Sequence, residues 1–154
     1  MKTYSKVCLG GTFDQIHLGH KSLLEMAFSL SDNVIIGLTT NKRANKNRNK
    51  EYLHTYQDRY SSLEDYLLGS FKGKYSIVEL DDDWGPGIFD KDLEAIIVSE
   101  ETEKVAFELN KKRKLRDLEE LKIVTIPLIL AKDNKKISST RIRNNEIDIN
   151  GNKA

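Results

Sequence analysis

The chain has 154 residues, the size of one domain that buries roughly two thirds of its unfolded surface around a single core. Its 25 Lys and Arg residues nearly balance 24 Asp and Glu residues, and a net charge of +1 argues against a general nucleic-acid or membrane-binding surface. The single cysteine, Cys8, excludes a disulfide within the chain, and no signal-peptide core or membrane-spanning apolar run is present, so we expect a cytoplasmic protein.

An apolar strand, a glycine turn and an amphipathic helix follow one another near the start of the chain. The apolar run at residues 7–9 predicts a strand, Gly10 and Gly11 predict a tight turn, and helical spacing of apolar residues continues to Leu30. Free backbone N–H groups and the positive end of a helix dipole favour phosphate between such a turn and helix. The polar or small residues gathered at that point are Thr12, Asp14, His17, Gly19 and His20.

The two histidines indicate what chemistry this turn could support. Imidazoles at a helix start can donate hydrogen bonds to phosphoryl oxygens, and Gly19 would let a triphosphate approach the backbone closely. Two histidines near a helix end are more often a surface or capping feature. The full pattern G-G-T-F-D-x-x-H-x-G-H is too long for chance to explain it well, so we favour nucleotide binding.

A second β-branched apolar run, residues 33–40, predicts the next strand of a βαβ unit. The basic, asparagine-rich segment 41–50 that follows cannot be core, and its later lysines are best read as a solvated loop. Lys42 is different because it falls at the carboxyl edge of the predicted sheet, where ligands bind in open parallel sheets. Its ammonium could offset phosphate charge, and the loop around it is a candidate lid.

The rest of the chain continues the alternation of helices and strands. Helical spacing covers residues 56–68 and ends at Gly69, strand-like runs cover 75–80, 93–99 and 122–130, and a helix covers about 102–113. These elements predict an α/β, Rossmann-like, doubly wound five-stranded parallel sheet with helices on both faces. The acidic turn at residues 81–83 is more plausibly a loop than a metal site.

A second polar motif, Ile-Ser-Ser-Thr-Arg-Ile-Arg, occupies residues 137–143. Helix capping would account for one serine, whereas three hydroxyls followed by two arginines suit a triphosphate. We expect one domain over residues 1–154, in which the polar residues 144–154 form a frayed tail.

The G-T-F-D-x-x-H-x-G-H segment resembles the signature of the nucleotidylyltransferase superfamily, and residues 137–143 resemble its second signature. Within that superfamily the chain is most similar to the archaeal type of phosphopantetheine adenylyltransferase, the family that makes dephospho-coenzyme A. Three inner stretches support this resemblance: Leu80-Asp81-Asp82 followed by Gly85-Pro86, Val98 to Thr102, and Asn110 with Arg113.

The resemblance implies transfer of AMP from ATP to 4'-phosphopantetheine by in-line attack, without a covalent intermediate. It implies these catalytic residues: His17, His20 and Lys42. The implied ATP-binding residues are Gly10, Gly11, Thr12, Phe13, His17, Gly19, His20, Arg113, Ser138, Ser139, Thr140 and Arg141. The implied acceptor-binding residues are Thr12, Lys42, Trp84 and Pro86. Mg²⁺ is expected on the phosphates of ATP rather than on protein ligands, and the expected partners are these small molecules, without nucleic acid or membrane.

Other functions share parts of these patterns. A sibling adenylyl- or cytidylyltransferase acting on glycerol 3-phosphate, FMN or NMN would carry both signatures. A class I aminoacyl-tRNA synthetase fragment shares an H-x-G-H signature, but this chain lacks that family's lysine-rich second loop. A nucleotide-responsive RNA-binding module could use residues 42–50 as its contact. Base preference and oligomeric state stay open.

Overall fold

The computed structural model describes residues 2–14, 16–44, 54–82, 84–127, 132–133, 142 and 147–152. Its strands are β1 (Val7–Gly11), β2 (Asn33–Thr39), β3 (Lys74–Leu80), β4 (Ala95–Ser99) and β5 (Lys122–Ile126). Its helices are α1 (Leu18–Leu30), α2 (Asn41–Ala44), α3 (Tyr56–Ser70) and α4 (Glu103–Leu115), with a 3-10 helix at Gly85–Ile88. Of the helices described, none is long and apolar enough to cross a membrane.

The five strands form one parallel sheet in the order β3-β2-β1-β4-β5. The chain builds outward from β1 to β3 and then crosses to the other side of β1, so the order reverses between β1 and β4. Five residues of β1 pair with β2, from Val7 opposite Val34 to Gly11 opposite Leu38, but only Val7 and Cys8 pair with β4. The carboxyl ends of β1 and β4 therefore border the crevice where ligands bind in such sheets.

Alternating side chains of the strands divide the core between the two faces of the sheet. Val7 and Leu9 point to the face covered by α1 and α3, and Cys8 points to the face covered by α4. The first face buries α1 through Leu24, Ala27 and Phe28, and α3 through Leu63 and Leu67. The second face buries Cys8 with Leu93, Leu109 and Leu121. Helices therefore lie on both faces, which confirms the predicted doubly wound fold.

Cys8 behaves as the buried small hydrophobe that its place in the first strand predicts. It is 7% exposed within the second-face core. Burial raises the pKa of its thiol to about 12, so the group stays protonated at neutral pH.

Two glycine predictions are wrong in detail. Gly10 and Gly11 are the last residues of β1 rather than a turn, and the left-handed residue of the following turn is Phe13, at φ 49°. A Cβ on Gly10 would lie 3.0 Å from Cδ2 of Leu80, so a larger residue there would require the Leu80 side chain to shift. Gly69 lies inside α3, which continues to Ser70.

The chain end also differs from the frayed tail that its composition predicts, at least over residues 147–152. Ile147 is 3% exposed and packs against Leu18 and Ile142. The carbonyl of Ile149 accepts a hydrogen bond from the Leu18 N–H at 3.2 Å, and the Gly151 carbonyl accepts one from Lys132 at 2.8 Å. One apolar side chain and two backbone bonds thus fix a segment that is otherwise polar.

Candidate active site

The parallel sheet brings most of the described candidate residues to its carboxyl edge. Thr12 and the two histidines follow β1, Lys42 follows β2, and Trp84 and Pro86 follow β3. Successive strands of a parallel sheet point the same way, so the segments that leave their carboxyl ends meet at one edge. This edge includes the crevice at β1 and β4.

His17 and His20 are held by the first turn of α1. His17 is the N-cap residue, and its Nδ1 accepts the Gly19 N–H at 3.0 Å. His20 reaches back, so that its Nδ1 accepts the His17 N–H at 3.3 Å. The two rings stack with centroids 3.9 Å apart and an interplanar angle of 22°. The histidines thus form a capping box, a motif usually built from a hydroxyl and a carboxylate or amide.

This capping box fixes the chemistry that the imidazoles can present. A ring nitrogen that accepts a hydrogen bond carries no proton, so in each neutral ring the proton resides on Nε2. His17 is 6% exposed, and burial lowers its pKa to about 4, so its ring is neutral at pH 7. The arrangement favours Nε2–H as the donor group for an oxyanion, and at His17 this donor is uncharged.

Gly19 is required by the His17 ring itself. A Cβ at this position would lie 2.9 Å from Cε1 and 3.1 Å from Nδ1 of His17. The sequence pattern suggested that Gly19 lets a ligand approach the backbone closely. In the structure, Gly19 first makes room for the His17 ring.

Phe13 and Thr12 shape the turn between β1 and α1. Phe13 is 1% exposed, and its ring lies 4.9 Å, centroid to centroid, from that of His20. Its side chain belongs to the core, so any nucleotide contact from Phe13 would come from the backbone. Thr12 Oγ1 lies 3.0 Å from Thr39 Oγ1, which donates to it.

Asp14 ties the same turn to the start of α3. Its carboxylate is 6% exposed, and Oδ1 accepts the His54 N–H at 2.8 Å and lies 3.1 Å from His54 Nδ1. A cavity of about 370 Å³ beside this pair lies between α1 and α3, with Lys21 and Tyr66 in its wall. The lining contains Asp14 and Ile16 of the turn but neither histidine of the H-x-G-H pattern.

The acceptor-side candidates lie on two short elements. Lys42 is exposed on α2. Trp84 precedes the 3-10 helix that begins at Gly85 and contains Pro86. The Trp84 N–H donates to Asp82 Oδ1 at 2.9 Å, and Lys112 Nζ lies 5.2 Å from the Trp84 ring centroid. The Asp82 carboxylate thus caps a turn. Across the part of the chain that the structure describes, no three His, Cys, Asp or Glu residues form a group that could hold a metal ion.

The structure does not bring Arg113 into this site, in contrast to the predicted ATP contact. Arg113 is 1% exposed, and it donates to the carbonyls of Gly87, Asp90 and Glu119 at 2.6, 2.9 and 2.8 Å. The reason is directional. Helix α4 begins next to the carboxyl edge after β4 and runs back along the sheet, so ten residues carry Arg113 about 15 Å away.

The second motif cannot be placed in the same way. Ser138, Ser139, Thr140 and Arg141 lie outside the described residues. Their contact with the triphosphate stays a prediction.

Sequence reasoning missed several residues that organise the site. Arg59 on α3 is 1% exposed and bonds the backbone of the turn after β1 and of the end of β2. Thr39 links the same two segments through its side chain, and Asn41 links the start of α2 to the start of α3. A single arginine within an amphipathic helix pattern carries no signal that distinguishes it from a solvated one.

Comparison with known proteins agrees with this geometry. A family model described as cytidylyltransferase-like matches residues 8–145. The chain is 43% identical to a phosphopantetheine adenylyltransferase of Methanothermobacter thermautotrophicus over 96% of this chain and 88% of that protein. It is 40% identical to one of Methanopyrus kandleri, over 94% and 92% respectively. A solved structure of a protein with unknown function from Archaeoglobus fulgidus superposes with a TM-score of 0.73 at 26% identity, covering 86% of this chain and 99% of that one. The chain therefore belongs to the cytidylyltransferase-like family and, within it, to the family of archaeal phosphopantetheine adenylyltransferases.

Proposed function

We propose that the protein transfers the adenylyl group of ATP to the phosphate of 4'-phosphopantetheine, giving dephospho-coenzyme A and pyrophosphate. The observation that carries this proposal is the stacked His17–His20 capping box at the carboxyl end of β1. It presents two ring N–H donors beside a helix N-terminus, of which that of His17 is uncharged at pH 7, an arrangement suited to phosphoryl oxygens. The relatives at about 40% identity over nearly the whole chain support the choice of acceptor.

The proposed reaction needs no general base from the protein. A phosphate monoester carries close to two negative charges at neutral pH, so its oxygen is already a nucleophile. That oxygen forms a bond to the α-phosphorus of ATP as the bond from the α-phosphorus to the bridging oxygen breaks, and pyrophosphate leaves with the electron pair. Catalysis then consists of positioning the reactants and stabilising charge on the phosphoryl group.

The neutral state of His17 divides this work among the residues. Because burial keeps the pKa of His17 near 4, the ring donates a hydrogen bond but adds no full positive charge at pH 7. Positive charge then comes from Lys42, from the N-terminus of α1, from Arg141 and from the Mg²⁺ that arrives with ATP as part of the substrate. Thr12 and Lys42 bind the acceptor phosphate in this proposal, and Trp84 with Pro86 borders the pantetheine arm. The hydroxyls and arginine at residues 138–141 bind the departing phosphates.

The test is pyrophosphate release with Mg²⁺ and ATP, comparing 4'-phosphopantetheine with glycerol 3-phosphate, FMN and NMN, and CTP with ATP. Release only with ATP and 4'-phosphopantetheine is expected. His20→Ala should reduce kcat by about 100-fold or more, since it removes one donor to the phosphoryl group. Lys111→Ala is the surface control, because Lys111 lies on α4 with its side chain 73% exposed and should leave kcat unchanged. Release with a different pair of substrates would retain nucleotidyl transfer as the reaction class but contradict the proposed acceptor. Undiminished turnover by His20→Ala would contradict the proposed role of the capping box.

A further inference from the structure

Arg59 joins three separate segments around the candidate site: the residues before α3, the turn after β1, and the junction of β2 with α2. From α3 its Nε donates to the His54 carbonyl at 3.0 Å, and its Nη1 donates to the carbonyls of Thr12 at 3.0 Å and Thr39 at 2.8 Å. Its Nη2 donates to Asn41 Oδ1 at 3.1 Å. The guanidinium is 1% exposed, although burial of an arginine is costly unless its donors are used. Its planar set of fixed donors suits one residue that must hold several oxygens at once.

One branch of this network ends on the Thr12 hydroxyl. Arg59 Nη1 also lies 3.2 Å from Thr39 Oγ1, and that hydroxyl donates to Thr12 Oγ1 at 3.0 Å. A hydroxyl has one hydrogen, so Thr12, having accepted the hydrogen of Thr39, directs its own hydrogen elsewhere. Thr39 is 8% exposed, and hydrogen bonds in series polarise one another where water is excluded.

The other branch ends beside Lys42. Asn41 begins α2 and immediately precedes Lys42, and its Oδ1 accepts both Arg59 Nη2 and the Tyr56 N–H, the latter at 2.7 Å. Helix α2 has only four residues, too few to hold a fixed orientation by its own hydrogen bonds. Its placement therefore depends on contacts outside the helix: Thr40 bonds Leu80 and Asp81 on one side, and the bonds of Asn41 connect the helix to Arg59.

We propose that Arg59 is a positioning residue for the transfer reaction, which fixes the Thr12 hydroxyl through Thr39 and the Lys42 helix through Asn41 in the relative placement that receives the acceptor phosphate. The inference rests on the proposed function and adds residues to it. Arg59 touches no reacting atom, so its effect is on geometry, where a small displacement of substrate-binding groups is costly.

Thr39→Val tests the first branch with little change of shape, because valine keeps the β-branched side chain and loses only the hydroxyl. The expected result is an increase of about tenfold in KM for 4'-phosphopantetheine, the size of one hydrogen bond, with KM for ATP within about twofold of wild type. Thr39→Ser retains the hydroxyl and should restore the acceptor KM. Circular dichroism and thermal unfolding establish that each variant is folded.

Arg59→Lys tests the whole network, and Arg113→Lys is its matched control. Both arginines are 1% exposed and donate to three backbone carbonyls each. Arg113 bonds neither the segment of Thr12 nor that of Lys42, and its contact nearest to the candidate site is the Gly87 carbonyl. Both variants should lower the midpoint of thermal unfolding. Arg59→Lys should raise the acceptor KM and reduce kcat, by about tenfold or more in kcat/KM, and Arg113→Lys should change these constants much less.

Three results would count against these proposals in different ways. An active wild type whose acceptor KM is unchanged by Thr39→Val would overturn the inference even if Arg59→Lys fails to fold. Equal losses in kcat/KM from Arg59→Lys and Arg113→Lys would also overturn it, since the effect would then be general destabilisation. No pyrophosphate release by the wild type with any donor and acceptor would instead overturn the proposed function, and the inference with it.

Discussion

Among single residues, Gly19 is the one whose replacement separates helix stability from site geometry. A Cβ at Gly19 would lie 2.9 Å from His17 Cε1, so Gly19→Ala must displace the ring. Alanine favours a helix over glycine by about 1 kcal/mol, so stability alone predicts a gain. We expect kcat to fall by about tenfold or more, because the displaced ring no longer directs Nε2–H as before.

Gly69→Ala is the matched control for this change, measured by thermal unfolding and by pyrophosphate release. Gly69 also lies in a helix, and nothing comes within 4 Å of its Cβ position. The Gly69→Ala variant should gain about 0.5–1 kcal/mol in free energy of unfolding and keep wild-type kcat. Wild-type kcat in Gly19→Ala would show that the orientation of the His17 ring does not matter for turnover.

The residues that could be predicted from the sequence are those whose partners are near in the chain. The capping box uses His17, Gly19 and His20, all within four positions, so a short pattern contains the whole arrangement. The acceptors of Arg59 include Thr12, 47 positions away, and Thr39, 20 positions away. No local pattern shows that these groups meet, and the role of Arg59 becomes visible only in the folded chain.

For helix α1, the titration of its N-cap predicts how stability depends on pH. Burial lowers the pKa of His17 from an ordinary value near 6.5 to about 4. Between these values the unfolded chain binds a proton that the folded protein does not, so the free energy of unfolding falls as pH falls through this window. The contribution of neutral His17 to the free energy of unfolding is fully present above pH 6.5. From the shift, the loss by pH 4.5 is on the order of 2–3 kcal/mol.

Urea unfolding at pH 7.5 and 4.5 measures this effect, with His17→Asn as the reference. Asparagine keeps a side-chain acceptor suited to the N-cap position and does not titrate. The other titratable groups are common to both proteins, so the difference between the two pH responses reports the loss of His17 together with any change that this causes in the stacked His20 ring. An equal loss of stability in wild type and variant would contradict the lowered pKa.

The elements themselves were largely predictable, and the exceptions have tertiary causes. Apolar runs of strand length identified all five strands, and helical spacing identified α1, α3 and α4. Gly10 and Gly11 have the composition of a turn, but pairing with Gly37 and Leu38 keeps them in the sheet. Strand β5 ends at Ile126, before Pro127, because proline has no N–H for the ladder.

For the molecule as a whole, parallel topology explains which distant residues meet. Segments that follow strands reach the carboxyl edge, so Thr12, Lys42 and Trp84 could be assigned to one site from their positions after predicted strands. Arg113 lies in the last turn of the helix that returns across the second face, where it holds the segment before β4 through Asp90. The direction of α4 was available from the βαβ alternation, so the placement of Arg113 away from the carboxyl edge was predictable.

The packing of the chain end against α1 predicts that Ile147 supports both stability and the site. Ile147→Ala should lower the free energy of unfolding by about 2–4 kcal/mol, since its side chain is 3% exposed against Leu18 and Ile142. The site should respond too, because the Ile149 carbonyl bonds the Leu18 N–H, directly after His17. We expect a higher KM for ATP in the pyrophosphate-release assay. Urea unfolding of the same samples measures the loss of stability. Ile149→Ala is the control: its side chain is 41% exposed and its carbonyl is retained, so the loss should stay below about 1 kcal/mol. Equal, small losses from both variants would mean that residues 147–152 do not contribute to the folded unit in solution.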